Sequence, residues 1–80
     1  MKKFKPDILI RSGNKFKVNK KQILPYMKKH TSDIEQAVLI ACQDYKKSPR
    51  YYKGMTNKQV LDELNELIYV ILGKWGIYKE

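Results

Sequence analysis

The chain has little of the chemistry on which enzymes and metal sites depend, because it contains one cysteine and one histidine in 80 residues. Cys42 alone cannot form an intramolecular disulfide or a thiolate metal site, so nothing indicates an oxidising compartment. Cys42 also falls within a predicted buried helix, which argues against a nucleophile–base pair with His30. We therefore expect no enzymatic activity, no cofactor and no metal site.

Long hydrophobic runs are also missing. The longest run near the C-terminus covers residues 67–72, far short of the roughly 20 residues that cross a bilayer. Near the N-terminus, residues 8–10 are the only apolar stretch before Arg11, which is too short for the apolar region of a secretion signal. We expect a cytoplasmic protein without a membrane span.

Acidic residues are absent from positions 8–32, although the net charge of the whole chain is +9. Residues 1–29 carry ten bases and one acid, while the remaining residues carry seven of each. Lysine-rich usage is typical of AT-rich genomes, and together with the small size and the lack of a targeting segment it resembles small phage or mobile-element accessory proteins. Usage alone does not segregate charge, however. So dense a positive segment should be solvated or lie against a polyanion.

The first elements of the fold are predicted from local patterns. Residues 7–18 favour a β-hairpin, because residues 8–10 are apolar, residues 12–14 (Ser-Gly-Asn) are typical of a turn, and Phe16 and Val18 alternate with lysines. We expect Phe16 and Val18 to be buried and the lysines to lie in water. A short helix is expected near residues 20–29, kinked or beginning at Pro25.

The next helix is predicted from Ser32 and Glu35, which have the spacing of a capping box. Apolar residues then recur at helical spacing: Ile34, Ala37, Val38, Ala41 and Tyr45. Because Leu39 and Ile40 fall outside this stripe, we expect the helix to be apolar nearly all round and to be the most buried element. Residues 46–54 are predicted to be a loop, with Ser48-Pro49 ending the helix.

The last helix is predicted from a second capping box, formed by Thr56 and Gln59. Its apolar residues span an arc of about 140° at 100° per residue: Val60, Leu61, Leu64, Leu67, Ile68, Ile71, Leu72 and Trp75. Its other side is acidic, and Gly73 or Gly76 ends it. The sequence thus predicts one small basic domain over residues 1–80. Its class is α+β, mostly α, with an N-terminal β-hairpin, a short helix and two longer packed helices.

Two basic segments are candidates for binding a polyanion, the hairpin region and the basic–aromatic segment that begins at Lys46. Cations can contact phosphates, and tyrosine rings can stack on exposed bases. The candidate contact residues are Arg11, Lys15, Lys17, Lys20, Lys21, Lys46, Lys47, Arg50, Tyr51, Tyr52 and Lys53. For Tyr51 and Tyr52, an equally weighted alternative to base stacking is that one of them covers the edge of the core. Tyr45 is interpreted as the last core residue of its helix.

These features favour a small non-enzymatic nucleic-acid-binding protein, with DNA preferred over RNA, that acts as an accessory or regulatory factor. The alternative is a protein-binding inhibitor or modulator that docks on an acidic or nucleic-acid-handling surface of a larger enzyme. Exposed aromatic and apolar residues would then anchor the interface: Tyr51, Tyr52, Trp75, Ile77 and Tyr78. The carboxylates of Asp62, Glu63 and Glu66 are too few to neutralise the surplus of positive charge.

Overall fold

A β-hairpin precedes a 3-10 helix and three α-helices in the part of the chain that the computed structural model describes, residues 7–13, 15–19, 21 and 25–78. The elements are β1 (Leu9–Ser12), β2 (Lys15–Val18), the 3-10 helix (Pro25–His30), α1 (Thr31–Lys47), α2 (Pro49–Tyr52) and α3 (Asn57–Lys74). Both α1 and β1 pack on α3, which is therefore the centre of the fold. The predicted α+β, mostly α class is confirmed. Among these residues, none of the helices has the length and apolar character needed to span a bilayer.

The predicted hairpin is present as an antiparallel pair in which Leu9 lies opposite Val18 and Arg11 opposite Phe16. Its turn contains Gly13 at φ 62°, a left-handed conformation that glycine adopts without steric cost; Asn14 lies outside the described residues. Phe16 and Val18 are half-buried rather than buried. β1 packs on α3, whereas β2 is the outer strand of this two-stranded ribbon, so its side chains are covered less completely.

Asn65 fastens the hairpin to α3. Its side-chain oxygen accepts a hydrogen bond from the Leu9 N–H at 2.8 Å, and its Nδ2 donates to the Leu9 carbonyl at 3.0 Å. The same Nδ2 donates to the carbonyl of Leu61 at 3.1 Å, one turn earlier in α3. The N–H and C=O of one strand residue point to the same edge of the strand. The Asn65 amide therefore bonds both backbone groups of Leu9 on the edge of β1 that does not pair with β2.

The start of α1 differs from the prediction. The helix begins at Thr31, and no side chain caps it, so the expected capping box of Ser32 and Glu35 is wrong. The 3-10 helix runs directly into α1, and a 3-10 helix already bonds each N–H to the carbonyl three residues earlier. The first N–H groups of α1 therefore need no cap. Thr31 Oγ1 instead donates to the carbonyl of Lys28 at 2.7 Å.

Burial of α1 is one-sided. Four residues of the predicted stripe are buried, Ile34, Ala37, Val38 and Ala41, but its last member, Tyr45, is exposed, as are Leu39 and Ile40. The expectations that this helix is covered nearly all round, and that it is the most buried element, are therefore wrong. In so small a chain, α1 meets α3 on one side and nothing in the described residues covers the other.

The N-terminus of α3 confirms its predicted capping box. Thr56 Oγ1 accepts from the N–H of Gln59 at 3.2 Å, and Gln59 Oε1 accepts from the N–H of Thr56 at 2.9 Å. At the other end the helix stops at Lys74, and Gly76 adopts a φ of 76°. This ending is a Schellman motif, because Ile77 N–H bonds the Leu72 carbonyl at 2.9 Å and Gly76 N–H bonds the Gly73 carbonyl at 3.1 Å.

The chain reversal at Gly76 decides which C-terminal residues are buried. Ile77 and Tyr78 return to the core, and the ring of Tyr78 meets that of Tyr69 edge-to-face at 4.7 Å. Trp75, at the end of the helix, stays exposed, and Ile71 is half-buried. The set of exposed anchors proposed for a protein partner is therefore corrected: Ile77 and Tyr78 do not belong to it.

Candidate nucleic-acid interface

A chain of aromatic rings connects the hairpin to the end of α1. Phe16 of β2 meets Tyr45 of α1 at a centroid distance of 6.0 Å, and Tyr45 meets Tyr52 at 5.0 Å. Tyr51 continues the chain, with its centroid 5.0 Å from that of Tyr52. All three contacts are edge-to-face, a favourable geometry for aromatic pairs. The rings bring together two segments that are thirty residues apart in sequence.

The predicted cations on these segments are all exposed, except that Lys20 lies outside the described residues. The exposed cations are Arg11, Lys15, Lys17, Lys21, Lys46, Lys47, Arg50 and Lys53. The ion pairs between described residues are His30 with Asp33 and Lys58 with Asp62, and neither includes any of these cations. Their charge is thus available to an external anion. We refer to Arg11, Lys15, Lys17, Lys46 and Lys47 as the basic surface.

Arg11 makes two contacts within the hairpin. Its Nε donates to the carbonyl of Gly13 at 3.0 Å, and its guanidinium carbon lies 5.9 Å from the centroid of the Phe16 ring. The ring supports the guanidinium by a cation–π contact. One hydrogen bond uses only one of the five N–H donors of an arginine, so Arg11 can still offer a bidentate pair of donors to a phosphate.

The segment after α1 is not the predicted loop throughout. It contains the one-turn helix α2, which has Pro49 at its start, where proline needs no N–H partner. Ser48-Pro49 ends α1 as predicted, because α1 stops at Lys47. This short helix carries both candidate stacking residues, and it gives Tyr51 and Tyr52 different environments.

Tyr52 lies at the edge of the core and is only 7% exposed. Its hydroxyl donates to Asp44 Oδ2 at 3.1 Å. Burial, reinforced by the hydrogen bond to Asp44, raises the pKa of Tyr52 to about 12. The ring has no free face for a base, so the core-edge interpretation holds for Tyr52, and this residue is also removed from the exposed anchors of the alternative.

Tyr51 is 59% exposed and keeps an accessible ring. Its hydroxyl donates to Glu63 Oε2 at 3.1 Å, and this hydrogen bond raises the pKa of Tyr51 above its usual range. Tyr45 is 36% exposed, so the interpretation that it is the last core residue of α1 is wrong, although its ring contacts Phe16 and Tyr52. The two carboxylates that accept from these tyrosine hydroxyls, Asp44 and Glu63, lie on α1 and α3. Because the packing of these two helices brings them to α2, spacing in the sequence did not predict the hydrogen bonds.

The remaining candidates for reactive chemistry are the thiol and the acidic side chains. Cys42 is half-buried, and burial raises the pKa of its thiol while nearby Lys46 opposes the shift. A thiol with a raised pKa is protonated at neutral pH and is a weak nucleophile. Among the described residues, no three His, Cys, Asp or Glu side chains converge as a metal site would require.

Comparison with protein-family models, with curated proteins and with solved structures found no match.

Proposed function

We propose that this chain is a small non-enzymatic nucleic-acid-binding protein, an accessory or regulatory factor that contacts the phosphates of DNA through the basic surface. The observation that carries the proposal is that five exposed cations, from the hairpin and from the end of α1, take part in no ion pair between described residues. The aromatic chain from Phe16 to Tyr45 holds these two segments side by side.

The shape of the hairpin supports DNA over RNA. A two-stranded ribbon fits the major groove of B-form DNA, whereas the major groove of A-form RNA is too narrow for side chains to read. Lys15 and Lys17 alternate with Phe16 along β2, so these two exposed lysines lie on one face of the ribbon, while Phe16 and its cross-strand partner Arg11 lie on the other. The ribbon therefore offers cations to phosphates from both faces. We place phosphate contacts on Lys15, Lys17 and Arg11.

The test is fluorescence anisotropy of a labelled DNA duplex, a single strand and an RNA duplex over a series of salt concentrations. Three to five phosphate contacts predict a log–log slope of roughly −3 to −5. Replacing Arg11, Lys15 and Lys17 together by Gln should reduce the magnitude of the slope by about 3. The matched control replaces Lys28, Lys58 and Lys74 by Gln, which removes the same charge from other exposed sites.

Equal losses in the two triple variants would mean that net charge alone drives association, and the proposed interface would be refuted. Absence of binding to any probe at low salt would refute nucleic-acid binding itself and would favour the alternative, an acidic surface on a larger enzyme. Tighter binding of the RNA duplex than of the DNA duplex would overturn the preference for DNA.

A further inference from the structure

A groove of about 420 Å³ lies between the end of α1, α2 and the middle of α3. Its charged lining residues are all acidic, and the rest of its lining is largely apolar or aromatic. The lining includes Asp44, Tyr51, Glu63, Glu66, Leu67 and Val70. We call this feature the acidic groove. It is unexpected on a molecule with a net charge of +9, and a phosphate backbone would be repelled from it.

The described cations do not neutralise the two carboxylates that flank α2. Asp44 and Glu63 each accept a hydrogen bond from a tyrosine hydroxyl, through Oδ2 and Oε2 respectively. An ionised carboxylate has about four acceptor positions on its two oxygens. Each therefore keeps most of its capacity to accept hydrogen bonds from a cation that enters the groove.

Apolar surface lies beside these carboxylates. Val70 is 47% exposed, and Leu67 is half-buried one turn earlier on α3. Ile40 is also exposed, one helical turn before Asp44 and on the same side of α1. Exposed apolar side chains next to acids are typical of a surface that meets a partner. The apolar surface extends past the groove itself, which favours an extended ligand over a small cation.

We propose that the acidic groove binds a basic amphipathic segment of a protein partner. An arginine of that segment would pair with Asp44 and Glu63, because its planar guanidinium suits bidentate contact with carboxylates and can also stack on the Tyr51 ring. An apolar side chain of the same segment would cover Leu67 and Val70. The groove is near the lower end of ligand-site volumes, so it takes anchor side chains rather than a whole helix.

The net charge of the protein makes this proposal selective. A cationic peptide approaching a molecule of charge +9 is repelled over a Debye length of about 8 Å at physiological salt. Binding therefore requires local attraction from the carboxylates together with apolar burial. A peptide with only one of these two properties should bind poorly.

The experiment uses the full chain labelled with ¹⁵N and a synthetic 14-residue helical peptide of Arg and Leu, with the amide shifts followed by NMR. Two comparison peptides replace every Arg by Glu or every Leu by Ser. We expect saturable shifts confined to the end of α1, α2 and the middle of α3 with the Arg–Leu peptide alone. Glu63→Gln, which still accepts from Tyr51, should weaken binding about tenfold, as loss of a charged partner does.

Two matched controls separate the groove from general effects. Asp62→Asn removes the neighbouring acid of α3, which does not line the groove, and should leave affinity within twofold. Val70→Ser should weaken binding, whereas Leu39→Ser, at an exposed apolar site outside the groove, should not.

The proposal is overturned if the Arg–Leu peptide causes no shifts, if the Glu-containing peptide binds the same residues, or if the Arg–Ser peptide binds equally well. It is also overturned if Glu63→Gln and Asp62→Asn lose affinity equally. Shifts in the same residues that depend on protein concentration without peptide would instead identify a second copy of the chain as the occupant. None of these outcomes bears on DNA binding by the basic surface, which is measured separately.

Discussion

Replacing Asn65 should loosen the hairpin from the helices. Asn65 is the buried polar residue of the core, and its amide satisfies both backbone groups of Leu9. Asn65→Ala removes these partners without changing any residue of the hairpin. The N–H and C=O of Leu9 would then lie at a buried site with no acceptor and no donor.

The loss of these two hydrogen bonds sets the expected fall in the free energy of unfolding. A buried backbone group left without a partner costs about 1–3 kcal/mol, so two such groups cost on the order of 2–6 kcal/mol. Because Leu9 lies on the open edge of β1, water can reach it once the hairpin moves, and we expect about 2–4 kcal/mol. The whole stability of an 80-residue domain is on the order of 4–12 kcal/mol. The variant should therefore keep its helices and populate a state with a detached hairpin.

Two measurements check this expectation. A urea titration gives the loss in free energy of unfolding, with Gln36→Ala, which removes an exposed amide from α1, as the control. Native-state hydrogen exchange should show strongly reduced protection of the Leu9 amide and unchanged protection in the middle of α3. A variant that unfolds within 0.5 kcal/mol of the parent, roughly the size of a surface substitution, and still protects Leu9 would refute the assigned role of Asn65.

The remaining predictions concern a helix cap and a buried phenol. Thr56→Ala should lower the free energy of unfolding in a urea titration by about 1 kcal/mol, because the cap to Gln59 is lost. Ser32→Ala should lower it by less than about 0.5 kcal/mol, because Ser32 caps nothing. Equal losses would contradict the structure of both helix N-termini. Tyr52 has a pKa of about 12 in the folded chain and about 10 when unfolded, so its contribution is complete below pH 10 and is lost as the pH rises from about 10 to about 12. The free energy of unfolding should therefore fall more between pH 9 and pH 11 for the parent than for Tyr52→Phe, and parallel falls would refute the raised pKa that burial and the bond to Asp44 give Tyr52.

The features that the sequence predicted correctly are those decided by neighbours in the chain. The hairpin depends on a glycine in its turn and on alternation over a few residues. The cap of α3 depends on Thr56 and Gln59, three positions apart, and its end depends on Gly76. Each of these signals lies within one turn of backbone, and no adjoining element competes with it.

The failures arise where another element, adjoining or distant, decides the outcome. Ser32 and Glu35 have the right spacing for a cap, but the preceding 3-10 helix removes the need for one. Leu39 and Ile40 are apolar, yet among the described residues no layer lies outside α1 to cover them. Asn65 lies at helical spacing from Leu61 and Ile68, so it belongs to the face of α3 that meets the hairpin. A single amide among these apolar residues was the signal in the sequence for a buried hydrogen bond. Its partner Leu9 is 56 residues away, and spacing alone does not identify it.

The candidate site shows why a basic–aromatic segment is an ambiguous signal. In sequence, Arg50, Tyr51, Tyr52 and Lys53 form one run of two rings flanked by cations, a composition that suits a nucleic acid. Folding separates them, because the two tyrosine hydroxyls bond carboxylates while the two cations remain in solvent. The carboxylates come from α1 and α3, so only the packing of these helices around α2 makes one face of the segment acidic. The aromatic chain therefore has the basic surface at its Phe16 end and the acidic groove at its Tyr51 end. A ligand that contacts both ends would have to carry both signs of charge, which nucleic acid does not, and this is the physical reason for assigning the two surfaces to different partners.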